Sequence, residues 1–334
     1  MSPPTSVFAR ACCRADLAGG TLDIWPVGLL YPGAATVNVA VDVAVTVRLS
    51  RREAGYRVRQ GERRVEAASA EELATHEEGA LVGVVAQALS LPPVEVELSS
   101  ASPRGGGLGA SSAMAVALIA AAEELAGERT TPAARVALAR DLEARLMRLP
   151  TGIQDHYPPL LGGALVIEHR PAGEQVRRLT VDLPALGERL RLYFTGIGHF
   201  SAGSNWQILH RFFSGEPEVR ELFAGIARAA CEMVPALERG EWPEVGRLVG
   251  EEWSHRRRLA PGITTPLIDR ALEAAAGEGA WGGKACGAGG GGCLLLMAPH
   301  ERWRAIETRL VELGLEPVPA APSAEPLAVS TSTS

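Results

Sequence analysis

Apolar and polar residues alternate through VNVAVDVAVTVRL, Val37 to Leu49, and the same two-residue period returns in VEVEL, Val94 to Leu98. That period predicts two strands, each with one face on a core and one toward water, because successive strand side chains point to opposite sides. After the second strand the period changes. PRGGGLGASSA, Pro103 to Ala113, holds four glycines and two serines and leads into the alanine-rich run MAVALIAAAEEL, which predicts a helix from Ser111 to about Gly127. TTPAARVALARDLEARLMRL predicts a second helix, with Thr131 as N-cap and Pro132 in the first helical position, where a missing N–H costs nothing. Leu138, Leu142 and Leu146 form its apolar stripe, and Glu143 lies about 100° around from Leu142, at the stripe's edge, where it can look into a cleft.

Further along, LRLYFTGIGHFSAGSNW from residue 190 predicts a strand ending in a glycine-punctuated loop, and it opens a second domain after the polar connector RPAGEQVRR. Helical periods fill much of 217–277, WGGKACGAGGGGCLLLMAP predicts a second glycine-rich loop and a buried strand, and ERWRAIETRLVELG predicts a closing helix. The tail PVPAAPSAEPLAVSTSTS has no apolar period and predicts disorder. The expected division is 1–185, 186–318 and a disordered 319–334, with no internal repeat.

Composition narrows the function classes. With 334 residues, 46% of them hydrophobic, the chain can bury the cores of two domains sharing a cleft. A net charge of −6 and a pI near 5.8 give no basic face for nucleic acid. The basic runs Arg51-Arg52 and HRRR at 255–258 read as solvated faces. No stretch reaches the roughly 18 apolar residues of a membrane span, and the N-terminus lacks a basic segment ahead of a long apolar core, so a cytoplasmic enzyme is expected. Cys12, Cys13, Cys231, Cys286 and Cys293 form no C-x-x-C pair, so neither a disulfide framework nor a zinc site is indicated and the thiols are expected in the core. Lys284 is the single lysine among 33 basic residues; a need for a compact ammonium and chance account for it equally well.

The first glycine loop has the chemistry of an anion cradle. Glycines let main-chain N–H groups approach a ligand, and a helix N-terminus adds unpaired donors and a positive dipole end. The P-loop pattern G-x-x-x-x-G-K-[ST] is absent, since no lysine stands near. A Rossmann-like G-x-G-x-x-A can be traced through Gly105, Gly107 and Ala110, but the acidic residue it needs about 20 residues on, at the end of a second strand, falls inside a helix here. Three further patterns accompany the loop: RADLAGGTLD from Arg14 to Asp23, TGIQDHY around Asp155, and GGKACGAGGGGCLL from Gly282 to Leu295.

In this order the four patterns resemble those of the GHMP kinases, the family named for galactokinase, homoserine kinase, mevalonate kinase and phosphomevalonate kinase. The resemblance implies an α+β, two-domain GHMP kinase fold, with an N-terminal ATP-binding and catalytic domain like the second domain of ribosomal protein S5 and a ferredoxin-like C-terminal domain. It implies that Pro103 to Ser112 is the ATP-phosphate loop, in which Gly105, Gly106, Gly107 and Gly109, with Leu108 and Ala110 between and after them, wrap the phosphates. Ser111, with Ser112 beside it, then reaches Mg2+ or a phosphate oxygen, and Glu143 is the acidic metal ligand. Asp155 falls next to the attacking hydroxyl, Arg14 near the transferred phosphoryl group, and Asp23 where a sugar hydroxyl is accepted, with Gly20 and Thr21 in the same loop. The third motif, with Gly289 and Gly290, brings second-domain backbone toward phosphates and substrate, and His199, Ser201 and Asn205 are substrate-side candidates.

Each of these residues has an ordinary reading as well. Glu143 alone is a surface residue paired with Arg140, Arg14 pairs with Asp16, Asp155 caps a turn, and glycine-rich turns permit close packing. Galactokinases carry Gly-Glu-His where this chain has Gly19-Gly20-Thr21, so galactose is disfavoured. The Gly-Gly form is more similar to heptose-phosphate kinases and to the kinase half of fucose-salvage enzymes, and the expected activity is anomeric phosphorylation of a sugar or sugar phosphate by a monomer or homodimer. A kinase of a non-sugar alcohol such as mevalonate or homoserine, and a silent sugar and nucleotide sensor on the same fold, are the alternatives.

Overall fold

The computed structural model describes residues 4–198 and 202–332, with side chains from Asn205 onward in the second span. The first sheet contains β1 (Ser6–Ala18), β2 (Ala35–Arg51), β3 (Tyr56–Gln60), β4 (Arg63–Ala67), β5 (Val94–Ser100), β6 (Ala164–Arg170), β7 (Gly173–Arg178) and a late strand, β12 (Ala328–Ser332). The second contains β8 (Leu190–Phe194), β9 (Gly282–Ala285), β10 (Cys293–Met297) and β11 (Glu316–Val318), in the order β11-β8-β10-β9, all antiparallel.

Helices α1 (Ala70–Leu73), α2 (Ala80–Ala88), α3 (Ala110–Ala126), α4 (Pro132–Met147) and α5 (Tyr157–Leu161) accompany the first sheet, and α6 (Leu183–Gly187) lies between the sheets in sequence. Five more, α7 (Ala202–Phe213), α8 (Pro217–Arg239), α9 (Trp242–Arg256), α10 (Pro266–Gly277) and α11 (Trp303–Glu312), accompany the second, which makes the architecture α+β.

β2 departs from the expected alternation, and the reason is tertiary. Its second half alternates between buried and more exposed positions, but Ala35 to Val41 is buried without interruption, because α8 of the second unit packs on β2 there. Covered on both faces, this half of the strand buries even the polar Thr36 and Asn38. The long strand is shared along one side: β6 pairs with Ala35–Val39 and β5 with Val45–Arg51.

α3 is nearly all buried, from Ser112 to Glu123, and it packs on β1 and β2 with α4 and α5 also against it. Its alanines let that packing be close, and Gly127 ends it in a left-handed cap at φ 75°. α4 starts as expected: the Thr131 hydroxyl accepts from Ala134 N at 3.2 Å with Pro132 in the first position.

Two expectations are corrected. The tail is ordered as far as Ser332: β12 pairs antiparallel with β1, Ser6 opposite Ser332 through Arg10 opposite Ala328. Ser323 N donates to Ala40 O at 2.8 Å, and its carbonyl accepts from Gly163 N at 2.7 Å. Proline-rich sequence holds no internal pattern here because its order comes from the edge it lies on. Cys231 is exposed, with its thiol 3.0 Å from Gly33 O, while the other four cysteines are buried. Among the described residues no helix is long and apolar enough to cross a membrane.

Candidate active site

The glycine loop is built from both halves of the chain. Gly105, Gly107 and Gly109 have φ values of 68°, 72° and 69°, a left-handed conformation that glycine adopts without steric cost. Gly107 also lies against the third motif, and a Cβ there would sit 2.6 Å from Cys286 O. Cys293 N donates to Gly106 O at 2.8 Å. The loop therefore ends at the N-terminus of α3 already braced by second-sheet backbone, with main-chain N–H groups and helix-end donors available to an anion.

Opposite the loop, Arg14 on β1 is 2% exposed and gathers the reacting groups. Its backbone N donates to Leu108 O at 3.0 Å, and its Nη1 to Gly107 O at 2.5 Å. Its Nε and Nη2 lie 2.8 and 2.7 Å from Asp155 Oδ1. Asp16, the partner of the ordinary reading, is farther, at 3.9 Å. Glu143 does not pair with Arg140, which bonds Asp141 instead. The Glu143 carboxylate accepts from Ser112 Oγ at 3.0 Å and lies 3.3 Å from His156 Nε2.

The electrostatics separate the two carboxylates. Burial opposes ionisation of Glu143, but His156, then Ser112 and Ser111, outweigh it and hold its pKa below the ordinary carboxylate value. Burial pushes Asp155 up, the charges of Asp23 and Glu143 add to it, and Arg14 only partly counters them. Arg14 thus favours the ionised form of Asp155 without cancelling the rise. Burial alone would lower the His156 pKa, yet Glu143 raises it above the ordinary histidine value.

One cavity of about 420 Å³ takes in Arg14, Asp23, Ser111, Glu143, Asp155 and Asn205. Pro103, Gly105, Gly106, Gly107, Leu108, Gly109, Ala110, Ser112 and Thr21 line it as well. Asp23 accepts from Gln154 N at 3.0 Å, and this approach depends on Gly152, where a Cβ would fall 1.7 Å from Asp23 Oδ2. Gly20 sits behind the wall, its carbonyl bonded to Arg256. Gly289 and Gly290 are not brought to the cavity: they turn against the Ile263 backbone, with Gly290 N donating to Ile263 O at 2.7 Å, and Gly287 and Ala288 line the cleft instead. His199 and Ser201 lie outside the described residues.

A glycine cradle with no lysine, a serine hydroxyl on a carboxylate and an arginine-bound aspartate meet across one cavity, and a family model matches the stretch that supplies all of these but the arginine. The model of the GHMP kinases N terminal domain matches residues 75–163, and that of the GHMP kinases C terminal matches 233–313, together about half of the chain. This chain belongs to the GHMP kinase family.

Among its relatives, the L-fucokinase/L-fucose-1-P guanylyltransferase of Bacteroides fragilis is 28% identical over 249 residues, 67% of this chain and 26% of that protein. The D-glycero-alpha-D-manno-heptose 7-phosphate kinase of Campylobacter jejuni is 25% identical over 217 residues, 64% of this chain and 63% of that protein. The matches thus span about a quarter of the first relative and less than two thirds of the second. A crystal structure of a D-glycero-D-manno-heptose 1-phosphate kinase from Bacteroides thetaiotaomicron superposes with a TM-score of 0.79 at 21% identity, covering 98% of this chain and all of that one.

The structure of this GHMP kinase adds residues that sequence reasoning missed. His156 follows Asp155 directly, and that adjacency was the available signal. Arg256 belongs to the HRRR run read as a solvated face, yet it is 3% exposed and lines the cavity, while Arg257 and Arg258 stay outside with Asp269 and Glu218. Lys284, flagged only by being alone, is fully buried between Asp16 at 2.7 Å and Glu252 at 2.9 Å.

Proposed function

We propose that this protein is an ATP-dependent kinase that transfers a phosphoryl group to a hydroxyl of a sugar or sugar phosphate, the anomeric hydroxyl being the favoured acceptor. The observation that carries this reading is the pairing of Arg14 with Asp155 at 2.7–2.8 Å in the same cavity as the glycine loop and the Ser112–Glu143 pair. The fucokinase and heptose kinase relatives act on sugars by their names, which supports a sugar acceptor over an alcohol of the mevalonate or homoserine type.

The residues present fit magnesium–ATP. Glu143, held ionised, and the hydroxyls of Ser112 and Ser111 form the all-oxygen donor set that Mg2+ prefers with only one or two protein groups. When bound, the ion would neutralise charge on the phosphate oxygens. The loop N–H groups and the α3 N-terminus would hold the phosphates. Asp155 accepts or orients the acceptor proton, and its raised proton affinity suits it to that exchange. Arg14 places a guanidinium beside the developing charge, and Asp23 accepts a hydrogen bond from a second acceptor hydroxyl.

The test is turnover with ATP and Mg2+ against a panel of free sugars, sugar phosphates, mevalonate and homoserine. A sugar or sugar phosphate is expected to be phosphorylated, and Asp155→Asn is expected to lose about 10²–10⁴ in kcat while binding ATP. Turnover of mevalonate alone, or equal activity in Asp155→Asn, would refute the reading.

A further inference from the structure

The loop that carries Asp23 contains a residue in the wrong conformation for its type. Thr21 has φ 70°, in the left-handed region, although a β-branched side chain is disfavoured there. It lines the cavity two residues before Asp23. Such a conformation persists where its surroundings over-determine it. The surroundings here come from the other half of the chain: Arg256, at the end of α9, donates from Nη1 to Thr21 Oγ1 at 3.0 Å and from Nη2 to Gly20 O at 2.7 Å.

Arg256 is itself fixed from behind. Its Nε bonds Glu252 Oε1 at 2.8 Å, Glu252 Oε2 lies 2.9 Å from Lys284 Nζ, and Lys284 donates to Asp16 Oδ2 at 2.7 Å. Asp16 Oδ1 accepts from Gly287 N at 3.1 Å, at the cleft. Burial opposes the charge on Asp16 and Glu252, but the cations around them keep both below the ordinary carboxylate range. The buried chain of charges runs from the second sheet to the strained turn, and its Arg256 end bonds the turn rather than Ser112, Glu143 or His156.

We propose that Arg256 is a positioning residue for the acceptor: reaching across the domain interface, it holds Thr21 in its left-handed turn and so sets Thr21 and Asp23 against the acceptor's hydroxyls. This rests on the kinase reading for its acceptor, but not for the clamp itself. A residue of the second domain thereby tunes acceptor affinity through a loop of the first.

Arg256→Lys keeps a cation against Glu252 but loses the planar fork. It is expected to raise the KM for the acceptor at least tenfold and to leave the KM for ATP within twofold. Thr21→Gly removes both the strain and the hydroxyl; it is expected to leave the melting midpoint unchanged or higher while raising the acceptor KM similarly. A residue of merely structural importance would lower the midpoint and move both KM values together, and that result would overturn the proposal.

The clamp is also read without any acceptor. Leu22 N donates to Gly19 O and Ile24 N to Thr21 O within the turn. Hydrogen exchange at these two amides is expected to be at least tenfold faster in Arg256→Lys. Unchanged exchange overturns the proposal even if the wild-type protein phosphorylates nothing in the panel, whereas absent turnover with faster exchange refutes the kinase reading and leaves the clamp standing.

Discussion

At the residue scale, Glu143 and Asp155 line the same cavity with proton affinities pushed in opposite directions, Glu143 down by its His156 and serine partners and Asp155 up by burial and neighbouring carboxylates. Groups separated in this way suit different tasks, one to stay ionised and one to exchange a proton. Asp155 must be ionised to accept a proton, so activity is lost as pH falls through its raised pKa. The acid limb of kcat/KM is expected above the ordinary aspartate value of about 4, and Arg14→Gln, which removes the lowering influence, is expected to move it higher still. An acid limb at or below about 4 in the wild type would contradict this assignment. Asp155, Glu143 and Arg14 were legible because they stand in motifs of known order. Ser112 was legible only as half of a pair: the loop sequence cannot say which of two adjacent hydroxyls turns toward the carboxylate, and the first turn of α3 buries Ser112 and leaves Ser111 exposed. Arg256 was not legible, because one arginine among three in HRRR is distinguished only by the face of α9 that it occupies.

At the scale of elements, the glycine loop makes a quantitative demand at Gly107. Alanine there meets both a positive φ of 72° and the Cys286 carbonyl oxygen at 2.6 Å. Gly107→Ala is expected to cost about 1–3 kcal/mol of stability in thermal unfolding and to weaken nucleotide binding in a direct titration. Gly127→Ala is the control: it also has positive φ, at 75°, but nothing lies within 4 Å of the added Cβ, so it is expected to lose about 1–2 kcal/mol without touching nucleotide affinity. Local sequence was enough for α4, whose cap and apolar stripe are self-contained, and for α3, whose alanine-rich run follows the glycine loop directly. It was not enough for β12, since AVSTS carries no strand signal of its own and gains its conformation from pairing with β1. The doubly covered half of β2 was hidden for a related reason, as an alternating pattern with Thr36 and Asn38 on the second face reads as facing water until a helix lies over it.

At the scale of the whole molecule, the single lysine sits where the two sheets meet. Lys284 is fully buried between Asp16 of β1 and Glu252 of α9, so Lys284→Met would leave two carboxylates without their shared cation. Breaking such a buried arrangement from one side is expected to cost about 3–5 kcal/mol, read as a lowered midpoint in denaturant unfolding. A change below about 1 kcal/mol would place the pair among the weak surface type. The course of the chain adds a constraint of another kind. Because β12 comes back to lie beside β1, the unit made of β8 to β11 leaves the first sheet after β7 and returns to it, and is pinned to it by two separate stretches of backbone. A lobe fastened at two points cannot drift away from the cleft that it walls, and the backbone that braces the glycine loop keeps its registry with it.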